Sequence, residues 1–171
     1  MLRFCIIGLI IYLNFILQTT LFNYIGILGI TPGTALLIVV SYAVLRGDVE
    51  GAIAGFFAGL LTDVMYMDFI GMHALLFGLT GFLSAKIFKD FFKDSFLLPV
   101  LLILIVMPAY EIVFYLANLI FVGNIGSFWN YLLIFILPGT IYTALFAIPV
   151  YRIIFAVNKR LTRSDGGRRR F

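Results

Sequence analysis

Three residues of this sequence carry side chains that could do chemistry in apolar surroundings: Asp63, Glu111 and His73. A carboxyl group in an apolar segment is costly unless it is protonated, hydrogen-bonded or exposed to a wet cavity, and such groups often mark binding sites or proton paths. For Asp63 two interpretations stay open. It binds a partner or ligand inside a helix bundle, or it makes a structural hydrogen bond to a neighbouring helix, through His73 or a backbone group.

Glu111 and His73 give weaker indications of function. Glu111 follows Pro108 within a long apolar segment, and a single glutamate makes a poor proton relay. Because proline leaves a helix carbonyl without its usual donor, we expect Glu111 to hydrogen-bond that carbonyl. His73 is the only histidine, and no cysteine or carboxylate cluster lies beside it in sequence, so it does not predict a metal site. Its expected role is a polar contact at the start of a helix.

Catalysis by a nucleophilic side chain has no support in the sequence. No serine lies in a GxSxG-type turn or beside residues that would activate it. The net charge of +4 comes from basic groups that flank apolar segments, so it does not indicate nucleic-acid binding. The sequence therefore predicts a protein that is not an enzyme and that needs no metal or cofactor.

The elements that must position these residues are apolar helices. Of 171 residues, 63% are apolar and 12% are charged, whereas soluble domains are about half apolar and a quarter charged. Since a bilayer crossing takes about 20 apolar residues, the sequence predicts an all-α, irregular bundle of six spans over residues 1–157. A basic tail, 158–171, follows it. The six apolar segments are 4–22, 30–45, 51–67, 72–88, 96–121 and 131–157.

The distribution of basic residues predicts the topology. All 12 lysines and arginines lie before the first segment, around the second and fourth connections, or at and beyond the end of the sixth segment. The first, third and fifth connections, 23–31, 68–71 and 123–130, contain none. By the positive-inside rule, both termini then lie in the cytoplasm and the number of spans is even. The tail either fixes this topology or contacts acidic partners or lipid head groups. Its basic residues are Lys159, Arg160, Arg163, Arg168, Arg169 and Arg170.

A stripe of small residues precedes Asp63 at a spacing of four. Gly47, Gly51, Gly55 and Gly59 recur at this interval, and Asp63 takes the next position of the series. Residues four apart share one face of a helix, and glycine there lets a second backbone approach closely, as happens when helices associate in lipid. The stripe therefore predicts tight packing inside the bundle, an interface with a second polypeptide, or both.

Five short motifs in this sequence resemble a known family. They are LQTTLF at 17–22, GITP at 29–32, YAVLRG at 42–47, GAIAGFFAGLLTD at 51–63 and GMHAL at 71–75. Together they are similar to the rod shape-determining protein MreD of bacteria. One position departs from the family pattern, because Gly33 stands where the family usually has an acidic residue. Any role of that acid is not carried over to this chain.

The resemblance implies a non-enzymatic scaffold of the machinery that elongates the cell by peptidoglycan synthesis, in the bacterial cytoplasmic membrane. It implies an MreC-like single-span partner, with MreB filaments, RodA and a class B penicillin-binding protein in a larger complex. The fold it implies is similar to the substrate-binding components of energy-coupling factor transporters. A vitamin-binding transport component is therefore the alternative function. The glycine stripe, Asp63 and Gly71 are the partner-binding or helix-packing positions that the resemblance indicates.

Overall fold

The computed structural model describes residues 2–25, 32–66, 71–88, 98–121, 123 and 127–166. This part of the chain is almost entirely helical and contains no strand, so the predicted all-α class is confirmed. The elements in order are α1 (Leu2–Ile25), α2 (Thr34–Arg46), α3 (Asp48–Tyr66), α4 (Met72–Phe88), α5 (Leu98–Phe121), α6 (Phe128–Tyr131), a π-helical turn (Leu132–Ile136) and α7 (Leu137–Gly166).

Two of these helices are long and apolar enough to cross a membrane. They are Pro99–Phe121 and the continuous helix Phe128–Lys159, whereas the apolar stretches Ile6–Thr20, Thr34–Arg46 and Met72–Phe88 are shorter. At 1.5 Å per residue, α2 extends about 20 Å, less than the roughly 30 Å of a hydrocarbon core. Each predicted apolar segment contains a helix, but the count of six crossings stays a prediction.

Helix α2 lies at the centre of the fold. Every residue from Thr34 to Val44 is buried, and the helix contacts α1, α3, α4, α5 and α7. A helix that is buried on all sides needs no polar face, which agrees with the mostly apolar sequence of α2. The other helices instead expose large side chains, such as Ile120 and Leu145 at 79% and 70%. Apolar surface of this kind is suited to lipid.

The start of α2 is buried between α5 and α7. The amide of Gly33 donates to Oγ1 of Thr143 (2.9 Å), and the Thr143 hydroxyl donates to the carbonyl of Gly139 (2.7 Å). A side chain at Gly33 would meet the end of Met107, which lies about 14 Å along α5 from its first residue. The chain therefore begins α2 part-way along its neighbours, where Thr143 gives a partly buried backbone amide its hydrogen-bond partner.

The last long helix changes its hydrogen-bonding pattern before a proline. The π-helical turn Leu132–Ile136 lies immediately before Pro138. Proline has no N–H, and its ring collides with the carbonyl four residues earlier, so a regular α-helix is unfavourable there. The hydroxyl of Thr140 donates to the Ile136 carbonyl, which gives that backbone group an additional partner. The irregularity at this proline thus takes the form of a wider helical turn.

Candidate functional site

Helices α3 and α4 pack through the glycine stripe. A Cβ atom on Gly55 would overlap the carbonyl group of Phe77, and one on Gly59 would overlap the backbone of His73. One turn away, a Cβ on Gly51 would overlap Ala43 of α2 and also approach the carbonyl of Gly81, and a Cβ on Gly81 would overlap the carbonyl of Gly51. These glycines let backbones touch, because a methyl group at any contact would force the helices apart. The structure thus directs Gly55 and Gly59 towards α4, and Gly51 towards both α2 and α4.

Two glycines singled out in the sequence have a different role. Gly47 and Gly71 have no atom within 4 Å of where a Cβ would lie, so neither contributes to close packing. Both have positive φ angles, +116° and +120°, which other residues rarely adopt. Gly47 ends α2, donating its amide to the Ala43 carbonyl (2.7 Å), and Gly71 precedes α4. Gly47 therefore belongs to a turn rather than to the helix face that carries the other three glycines of the stripe.

The carboxylate of Asp63 lies at the end of the stripe and caps α4 from outside that helix. It is fully buried and accepts the backbone amides of Gly71 (2.9 Å), His73 (2.9 Å) and Ala74 (3.0 Å). The first amides of a helix have no hydrogen-bond partner within that helix. The positive end of the helix dipole also lies there and favours an anion. Asp63 therefore satisfies three such groups at once, in a place where water is excluded.

His73 supplies the fourth hydrogen bond to this carboxylate. Its Nδ1 lies 2.9 Å from Oδ1 of Asp63. Because an ionised carboxylate can only accept hydrogen bonds, we assign the ring Nδ1 as the donor to Asp63. The ring packs against Phe114, with centroids 4.6 Å apart, and against the edge of Phe77. Asp63 thus makes both kinds of structural hydrogen bond that the sequence suggested, one to the imidazole of His73 and three to backbone amides of α4 and its preceding residue.

Glu111 is bonded differently from the expectation. Its Oε2 accepts the hydroxyl of Tyr131 (3.0 Å), and not a carbonyl released by Pro108. Tyr131 comes from α6, immediately before the π-helical turn, and its ring packs against Tyr115 with centroids 5.0 Å apart. Sequence reasoning missed this pair, because nothing in the pattern links residues twenty positions apart on separate helices.

A third polar group lies in the same region. Tyr110 is 7% exposed, its ring packs against those of His73 and Phe77, and its hydroxyl has no hydrogen-bond partner in the described part of the chain. Among the described residues no group of three or more metal-ligating side chains occurs. The arrangement can hold hydrogen-bonding groups in an apolar interior, and it offers no activated nucleophile.

The basic residues of the predicted membrane surface are described only in part. Lys159 is exposed near the end of α7. The side chains of Arg160 and Arg163, and the whole of Arg168, Arg169 and Arg170, lie outside the described residues.

The family comparison covers the helices that carry the glycine stripe, Asp63 and Glu111, and it ends before Arg163. Residues 1–161 match the family described as rod shape-determining protein MreD. No curated protein and no solved structure matches the chain. The match includes the glycine stripe, the Asp63 cap and the Glu111–Tyr131 pair. The chain belongs to the MreD family of rod shape-determining membrane proteins.

Proposed function

We propose that this protein is a scaffold of the bacterial cell-elongation machinery that binds an MreC-like single-span protein within the membrane. Through that partner it associates with MreB filaments, RodA and a class B penicillin-binding protein. Family membership supports the rod-shape role. The observation that carries the scaffold proposal is the way in which the Asp63 carboxylate is bonded. It is fully buried and holds four hydrogen bonds, so it fixes two helices and has no accessible face for catalysis.

A rigid α3–α4 pair suits a scaffold. Glycine contacts along three turns and the carboxylate cap at one end hold the two helices in one geometry. Their opposite faces present large apolar side chains, including Phe57 and Leu79 at 58% and 50% exposure. A partner helix in lipid gains affinity from a surface that does not have to be ordered on binding. The pair therefore supports a fixed membrane-facing platform.

The proposal includes both termini in the cytoplasm and the protein in the cytoplasmic membrane. Arg46 lies in the last turn of α2, and Lys86 lies in the last turn of α4. Both are at the ends that positive-inside reasoning assigns to the cytoplasm. Basic side chains at these helix ends also suit contacts with anionic lipid head groups.

Co-purification tests the proposal. The full-length chain is co-expressed with an MreC-like protein, extracted in mild detergent and captured through a tag on either protein. We expect the wild type to retain the partner and Gly55→Leu to lose it, since a side chain at Gly55 collides with the α4 backbone. Gly8→Leu is the matched control, because Gly8 lies in α1 with no atom within 4 Å of its Cβ position.

Two results would contradict the scaffold proposal. One is a wild-type protein that never retains the partner under conditions where both proteins are inserted in the membrane. The other is a stoichiometric vitamin-sized ligand in native mass spectra of the purified chain, which would favour the transport component instead.

A further inference from the structure

The lipid-facing surfaces of α3 and α4 are short. On α4 the large exposed side chains extend from Leu75 to Ile87, which are 58% and 57% exposed, a distance of about 18 Å at the rise of an α-helix. On α3, beyond Glu50, they extend from Ile53 to Val64, about 17 Å. We term these two stretches together the short face. Each is well below the roughly 30 Å of a hydrocarbon core.

Charged residues limit any extension of the short face. The sequence has no charged residue between Asp68 and Lys86. Helix α4 itself has 17 residues and so extends about 26 Å. Lys86 lies in its last turn, and Lys89 and Asp90 follow soon after it in the sequence. The apolar part of α4 is therefore too short to cross an undeformed bilayer.

Lys86 does not compensate for this shortness by reaching outwards. Its Nζ lies 5.7 Å from the centroid of the Phe82 ring, which is one helical turn towards the middle of α4. Side chains on a helix lean towards its N-terminus, so a lysine at the C-terminal end points back into the bilayer rather than away from it. A charged group in hydrocarbon is costly. The polar boundary of the bilayer must therefore approach Lys86.

Helix α5 meets lipid over a greater height. Its exposed apolar side chains extend from Leu101 to Phe121, which are 56% and 77% exposed, or about 30 Å. This height matches an undeformed hydrocarbon core. Tilting can reduce the height of a long helix, but it cannot increase that of a short one. No single orientation of the protein therefore matches both surfaces to a bilayer of uniform thickness.

We propose that the short face thins the bilayer beside it to about 20–26 Å and binds phospholipids with short acyl chains in preference to those with long ones. Short chains bring the head groups to the level of Lys86, so that its charge does not lie in hydrocarbon. The inference goes beyond the proposed function, because it concerns lipid and needs no protein partner.

Quenching of tryptophan fluorescence by brominated lipid tests the preference at chosen positions. Trp129, the only tryptophan, is replaced by phenylalanine. A new tryptophan then replaces Leu79 on the short face or, as control, Leu104 on α5, which are 50% and 44% exposed. The full-length protein is reconstituted in brominated dioleoylphosphatidylcholine, and either dimyristoleoylphosphatidylcholine or unbrominated dioleoylphosphatidylcholine is added as competitor.

The two positions should give different results. At position 79 we expect the short-chain lipid to displace the brominated lipid about twofold to fivefold better than dioleoylphosphatidylcholine does, because it relieves a mismatch of a few ångströms. At position 104 we expect no such preference, since α5 already matches the longer lipid.

Lys86→Leu tests what sets the thickness. It extends the apolar stretch of α4 as far as Phe88, about 4.5 Å further, so the preference for short chains at position 79 should disappear. The matched control is Lys159→Leu, because Lys159 is exposed near the end of α7. That change should leave the preference at position 79 as it is in the wild type.

Three results would overturn the inference. One is an equal preference at positions 79 and 104, and another is an unchanged preference in Lys86→Leu. The third is an absence of quenching at position 79, which would mean that a second copy of the chain covers the short face instead of lipid. None of these measurements contains an MreC-like protein, so the failure of this inference and the failure of the proposed function are distinguishable.

Discussion

Replacing Asp63 with asparagine should strongly destabilise the protein, although the two side chains have nearly the same shape. Each carboxylate oxygen accepts two N–H groups: Oδ1 those of His73, and Oδ2 those of Gly71 and Ala74. In asparagine the amide oxygen can replace Oδ2 and keep the Gly71 and Ala74 amides, while the NH₂ group donates to Nδ1 of His73 in its other tautomer. The His73 amide is then left facing an NH₂ group, and an unpaired buried donor costs about 1–3 kcal/mol. The expected loss is therefore at least about 1–3 kcal/mol of the free energy of unfolding.

The measurement is unfolding of the full-length protein in bicelles by steric trapping, which gives a free energy under membrane-like conditions. Asp48→Asn is the matched control. Asp48 lies in the first turn of α3, where its Oδ1 accepts the amide of Val49 (3.0 Å) at an exposed position. Asparagine serves nearly as well at a helix start, so this change should cost less than about 0.5 kcal/mol. Equal losses for the two variants would refute the view that Asp63 holds the start of α4.

Two further substitutions test the other contacts of the site by the same measurement. Gly59→Ala should cost about 1–3 kcal/mol or more, since its methyl group overlaps the α4 backbone, whereas Gly8→Ala should cost nothing; similar values for both would contradict close packing at the stripe. Tyr131→Phe should cost about 0.5–1.5 kcal/mol, because it removes the hydrogen bond to the partly buried Glu111 carboxyl. The corresponding change at Tyr12, which is 53% exposed, should have little effect, and a larger loss there would count against the pair.

The periodicity of the sequence predicted much of the site because that site is local. Gly51, Gly55, Gly59 and Asp63 are four residues apart, so one helix face carries them whatever the rest of the fold does. The same spacing could not reveal which neighbour that face meets. Nor could it separate Gly47 from the series, because a positive φ depends on where the helix ends. The identification of the MreD family from short motifs is confirmed by the match over residues 1–161.

Contacts between segments far apart in the chain could not be predicted from the sequence. The Glu111–Tyr131 pair joins residues of α5 and α6 that are twenty positions apart, and no residue pattern links them. The buried start of α2 likewise depends on Thr143, 110 positions away from Gly33. In each case a polar side chain satisfies a group in the apolar interior, and the partner is chosen by the packing of whole helices rather than by spacing along one of them.

These polar contacts explain how so apolar a chain can adopt one structure. Lipid tails are as apolar as leucine, so burying more leucine against leucine gives little preference for one helix arrangement over another. Hydrogen bonds such as those of Asp63 and Thr143 do distinguish between arrangements, since an arrangement that breaks them leaves buried polar groups unpaired. The glycine contacts act in the same direction, because they fit only one neighbour at one register. A protein specified in this way can leave its outward apolar surface for binding other helices without losing its own fold.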